Sequence, residues 1–172
     1  DDVAHLDLYS CFASSLHFAT DALGIAADDG RPLTVTGGLP FAGGAGSNYV
    51  TQSLAAMART LREDPGSYGM VSGVGMHMTK HAFGVYSTTP GPLDWPAESE
   101  VQGAVDEAPQ RAIRDEASGP AVVASYTVAD GRDGAAEWGL VIADLPEGDR
   151  CYARVDDAGL LAEIEATEWV GA

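Results

Sequence analysis

Lysine is almost missing from this chain. Lys80 stands alone among 172 residues, beside eight arginines and 26 acidic residues, and the formal net charge is −17. That balance excludes a nucleic-acid backbone as partner, because phosphate binding needs clustered Lys and Arg. Cysteine is scarce as well: Cys11 and Cys151 lie far apart in unlike surroundings. No disulfide framework is expected, and a reducing cytoplasm is the expected compartment. No apolar run is long enough to span a bilayer. Asp1-Asp2 stand where a secretory leader would carry basic residues. With no initiating Met, the chain reads as a mature, cleaved or excised piece.

The acid is unevenly spread. Residues 1–90 hold 8 acids and 4 bases, net −4; residues 91–172 hold 18 acids and 5 bases, net −13. The asymmetry points to two units, the second more heavily solvated. An acidic, soluble surface accounts for most of this charge. Residues 91–97 carry part of the proline-rich run TPGPLDWPA and read as the linker between units 1–90 and 98–172.

Within the first unit, residues 3–9 alternate and predict a strand. Ser10 is placed to cap a helix with apolar positions Phe12, Leu16, Ala19 and Leu23, stopped by Gly24. Leu33-Thr34-Val35-Thr36 predicts a strand leading into a glycine-dense turn with Gly37, Gly38, Gly43, Gly44 and Gly46. A helix follows from about Asn48 to Arg62, with Val50, Leu54, Met57, Ala58 and Leu61 as its apolar stripe. Residues 68–75 and 83–88 read as a strand pair. In the second unit, residues 101–105, 121–128, 139–143 and 151–155 predict short strands and residues 160–166 a helix, together a small antiparallel barrel.

Each candidate site has two readings. The glycine turn lacks both the G-x-G-x-x-G spacing and a Lys-Ser/Thr pair, so neither the dinucleotide nor the phosphate-loop fingerprint is met. It either brings backbone N–H groups to a ligand or lets strand and helix pack closely. Cys11, at a helix N-terminus, is either an activated thiol or a small buried side chain. His77, Lys80 and His81 cluster between two strands, as a base or oxyanion donor or as a polar hairpin tip. They lack a third ligand at metal spacing, so no metal is expected.

Three stretches in order, DLYSCF (Asp7–Phe12), TVTGGLPFAGGAGSNY (Thr34–Tyr49) and TKHAFGVYST (Thr79–Thr88), resemble the C-terminal half of a thiolase-superfamily protein. The resemblance is to the type-1 thiolase-like proteins of actinobacteria, described as acetyl-CoA acetyltransferases or lipid-transfer proteins, and it extends to their additional C-terminal domain. It implies an α/β fold: part of a thiolase-type layered domain, followed by an OB-like β-barrel. It also implies coenzyme A thioesters as substrate or ligand, no other cofactor, and a cytoplasmic protein of lipid metabolism with neither membrane span nor nucleic-acid partner. The exposed sheet edge would be covered by the missing N-terminal half or by a second copy.

On that resemblance Tyr9 takes the place of the asparagine of the N-E-A-F loop. Gly37-Gly38-Leu39-Pro40 takes the place of G-G-H-P, with Leu39 where the histidine would be, and Ser72-Gly73-Val74-Gly75 takes the place of the C-x-G loop. Leucine neither accepts a proton nor donates to an oxyanion, and Ser72 lacks the low-pKa thiol of the acid/base cysteine. Tyr9, Cys11 and His81 remain as candidate catalytic groups. Ser10, Gly38, Leu39, Gly44, Gly46, Ser72 and His77 would line an acyl-CoA cleft. Two functions follow: an acyltransferase with altered residues, or an acyl-CoA or lipid-binding protein that keeps the cleft without the chemistry. A third is that the acidic module docks a partner protein.

Overall fold

The computed structural model describes residues 2–91 and 97–172. The chain divides into two compact units, residues 1–94 and 95–172. The expected linker 91–97 falls largely on residues outside those described.

In the first unit, β1 (Val3–Asp7) pairs parallel with β2 (Tyr68–Gly75), which pairs antiparallel with β3 (Lys80–Ser87), in the order β1-β2-β3. Helix α1 (Ala13–Leu23) packs Leu16 and Ala19 against the buried Leu6, Leu8 and Met70. Helix α3 (Tyr49–Glu63) covers the other face, where Met57 and Leu61 meet Val71. Its close seat depends on glycine: a Cβ on Gly69 would lie 2.2 Å from the Met57 sulfur. Helix α1 ends as expected at Gly24, which takes a left-handed conformation with φ 65°.

Two local expectations are corrected here. Helix α1 begins from Phe12 with no side-chain cap; the Ser10 hydroxyl instead accepts the Leu39 N–H at 2.9 Å. Leu33–Thr36 is not a strand. Leu33 accepts one bond from the Leu8 N–H, and the Thr36 N–H goes to the Asp7 carboxylate. A side chain has taken the place of a ladder partner. The glycine-rich stretch that follows contains a single helical turn, α2 (Leu39–Ala42), with Pro40 near its start.

In the second unit, residues 101–105 belong to a helix, α4 (Glu98–Asp106), rather than a strand. Val101 and Val105 are one turn apart, a helical and not an alternating spacing. Strands β4 (Ile113–Arg114), β5 (Val122–Asp130), β6 (Ala136–Asp144) and β7 (Arg150–Val155) form a sheet in the order β4-β7-β6-β5. Helix α5 (Ala158–Ala166) buries Leu161 and Ile164; Ile164 packs against the Val141 and Ala143 side of that sheet. Asp157 caps α5, its carboxylate accepting from the N–H groups of Gly159 and Leu160. The expected barrel is not closed. β4 has only two residues and lies at the edge opposite β5. The β5 edge is instead tied down by the chain end, through bonds between Val123 and residues 171 and 172.

Candidate functional site

The chain leaves β1 into a segment fixed on both sides. The Tyr9 N–H donates to the Ser72 hydroxyl at 2.9 Å, and its carbonyl accepts from the Ser15 hydroxyl. Its ring meets Tyr49 edge-on, with centroids 5.4 Å apart. Beside this segment, between α1 and the β2–β3 pair, lies a hollow of about 250 Å³. Phe18, Ala19, Ala22, Val74 and Phe83 make most of its wall, and Tyr9, Ser15, Ser72 and His81 supply its polar groups. The cross-strand pairs Ser72–Phe83 and Val74–His81 set these side chains on one sheet face.

The hollow unites Tyr9, Ser72 and His81, and three of its side chains bond backbone groups. Ser72 accepts from Tyr9, Ser15 donates to Tyr9, and the His81 Nε2 bonds the Met78 carbonyl at 2.7 Å. That last bond places the ring proton on Nε2. Among the described residues no hydrogen bond joins Ser72 to His81, so the hydroxyl has no base in position.

The other expected residues lie elsewhere. Ser10, Gly38 and Leu39 form a separate contact, with a Cβ on Gly38 only 2.8 Å from the Ser10 hydroxyl. Gly38 also has φ 84°, so glycine is required there twice over. Gly44 faces the Leu39 side chain, while Gly46 stands in open space. Leu39 does not line the hollow shared by Tyr9 and Ser72. Cys11 is free and half-buried, two residues before α1. Cys151 is also free, packed beside Val141 and Ala143. His77 occupies the β2–β3 turn, in a left-handed run with Met76 and Met78. No cluster of three His, Cys, Asp or Glu side chains suited to a metal occurs among the described residues.

Sequence reasoning missed a polar cluster at the centre of the first unit. Asp7 is fully buried, and its carboxylate accepts from the Thr36 N–H and hydroxyl, the Tyr49 hydroxyl and the Ser53 hydroxyl at 2.7–2.9 Å. The Thr36 hydroxyl also receives the Gly38 N–H at 3.1 Å, which joins the cluster to the glycine turn. Burial pushes the Tyr49 phenol above its ordinary pKa of 10.0; the Thr36 hydroxyl, 2.8 Å from the phenol oxygen, opposes this and the Asp7 carboxylate adds to it. The signal was present: Tyr49 and Ser53 are polar groups one helical turn apart on the face of α3 that meets the sheet.

Comparison with known proteins supports a thiolase-like protein. Residues 100–172 match the family described as the thiolase-like protein type 1 additional C-terminal domain. The whole chain is similar to a solved structure, a monomeric SCP2-thiolase like protein type 1 from Mycobacterium smegmatis, at 36% identity and a TM-score of 0.88. The match covers 100% of this chain and 38% of that one, so the chain spans well under half the length of this relative. Comparison with curated proteins gives no match. No helix among the described residues is long and apolar enough to cross a membrane.

Proposed function

We propose that this chain is the ligand-holding C-terminal portion of a thiolase-like protein that binds acyl-CoA or a related lipid without the usual thiolase proton transfers. The hollow between α1 and the β2–β3 pair carries the reading. Its wall is mainly apolar, and Ser15, Ser72 and His81 are all bonded to the protein's own backbone. An apolar cavity of about 150 Å³ takes up benzene, so about 250 Å³ suits the end of an acyl chain. The lack of a cysteine at residues 72–75, where Ser72 lines the hollow, supports binding over turnover.

Strands β1 and β3 are the sheet edges. A preceding portion of the protein is the proposed cover; the relative's description as monomeric favours that over a second copy. The test pairs a calorimetric titration of octanoyl-CoA into the full-length protein with an acetyl-CoA turnover assay. Saturable binding without turnover is the expected result. Turnover would restore the acyltransferase reading, and no binding would end both. In the titration, Ala22→Trp, which fills the hollow from an exposed helix position, is expected to weaken octanoyl-CoA at least tenfold.

A further inference from the structure

The hollow between α1 and the β2–β3 pair keeps hydrogen-bonding capacity that the protein itself does not use. Ser72 is only 3% exposed and lines the hollow. Its oxygen accepts the Tyr9 N–H at 2.9 Å, but among the described residues its own O–H has no acceptor. A serine hydroxyl carries a donor as well as its acceptor positions, so one donor remains. His81 lines the same hollow and gives its Nε2–H to the Met78 carbonyl at 2.7 Å. The neutral ring then carries a lone pair on Nδ1, an acceptor with no donor among the described residues.

Strand register sets these two groups side by side. Ser72 pairs with Phe83 and Val74 with His81, so Ser72 and His81 are diagonal neighbours on one sheet face. Diagonal neighbours stand about 7–8 Å apart, a span that one small group between two side chains can close. That group must accept from Ser72 and donate to Nδ1 at once. A hydroxyl does both, whereas a carbonyl or ether only accepts and a methyl does neither. We propose that the hollow selects an acyl chain hydroxylated at its far end, the terminal oxygen accepting from the Ser72 hydroxyl and donating to His81 Nδ1. This rests on the function proposed above, in which the hollow takes the end of an acyl chain. A plain chain would cover the Ser72 donor with hydrocarbon, and a buried donor without an acceptor is unfavourable. A site that bonds a hydroxyl discriminates against the analogue that lacks it.

Calorimetric titrations of the full-length protein compare ω-hydroxyoctanoyl-CoA with nonanoyl-CoA, which has the same length and a methyl in place of the hydroxyl. The hydroxylated ligand is expected to bind about tenfold more tightly. β-Hydroxyoctanoyl-CoA, whose hydroxyl lies near the thioester, should gain nothing over octanoyl-CoA. Ser72→Ala and, separately, His81→Phe should each cut the preference for the ω-hydroxyl to about threefold or less. The readout is the ratio of the two affinities within one variant, because a merely structural loss weakens both ligands alike. His81 is exposed, so His81→Phe gives the answer even where Ser72→Ala unfolds the protein. Equal affinity for ω-hydroxyoctanoyl-CoA and nonanoyl-CoA would overturn the proposal and leave the acyl-binding function standing. A preference that survives His81→Phe, or one that β-hydroxyoctanoyl-CoA shares, would overturn it too. If neither chain binds, the acyl-binding function falls and this proposal with it.

Discussion

At the residue scale, Asp7 sits at the end of β1 with four donors around its carboxylate and no ion pair among the described residues. Removing the charge leaves buried hydroxyls and an N–H short of an acceptor, and an orphaned buried polar group costs about 1–3 kcal/mol. Asp7→Asn is therefore expected to lower the unfolding free energy by about 3 kcal/mol, and Asp7→Ala by more, measured by urea denaturation. The same change should move the Tyr49 ionisation midpoint downward, because the carboxylate helps hold that phenol up; tyrosinate absorbance against pH reads this directly. With Tyr49 raised, unfolded chains lose the phenol proton first as the pH climbs past 10, so the native state should lose stability in strong alkali, and less steeply in Asp7→Asn. Asp7 was legible in the sequence only as a polar member of an alternating strand. Its acceptor role needed Thr36, Tyr49 and Ser53, which lie 29 to 46 residues away.

At the element scale, the amphipathic α3 and the β2–β3 pair were legible because their periodicity is set by burial along the chain itself. Where a segment's partner is remote, periodicity failed: Thr36 gives its N–H to a side chain, and Val101 and Val105 sit one turn apart on an exposed helix. Gly103 lies inside that helix with nothing within 4 Å of a built Cβ. Gly103→Ala should thus stabilise the second unit by about 0.5–1 kcal/mol, seen as a higher melting temperature; a strand at 101–105 would not respond so. Gly69→Val has the opposite expectation. Its side chain meets the buried Met57, and overpacking of this kind costs about 1–3 kcal/mol, read as a lower denaturation midpoint in tyrosine fluorescence.

At the scale of the whole molecule, acid should act on both units. Hydrogen bonds from Arg31 hold Asp29 at about 2, and hydrogen bonds from Arg150 and then Arg111 hold Asp144 at about 2, against an ordinary value of 3.8. A carboxyl depressed in the folded state contributes stability that is present above about 4 and lost as the pH falls toward 2. Melting temperatures should fall across that window. All three tryptophans lie at residues 95, 138 and 169, so tryptophan fluorescence follows the second unit separately. Arg150→Gln lets the folded Asp144 titrate nearer its ordinary value, so it should shrink the acid-dependent fall in melting temperature seen in the tryptophan signal.

The amino-acid sequence on its own determined the two-part organisation of charge, most of the helices and strands, and the thiolase-like character, since these are written in local periodicity and in contiguous motifs. Tertiary structure decided which polar groups meet. It left Leu39 out of the hollow that joins Tyr9 and Ser72 to His81, gathered four hydroxyl and amide donors on Asp7, and left the second sheet open. The reason is physical: a hydrogen bond or a shared cavity depends on distance in space, and residues dozens apart acquire that distance only once helix and sheet have packed.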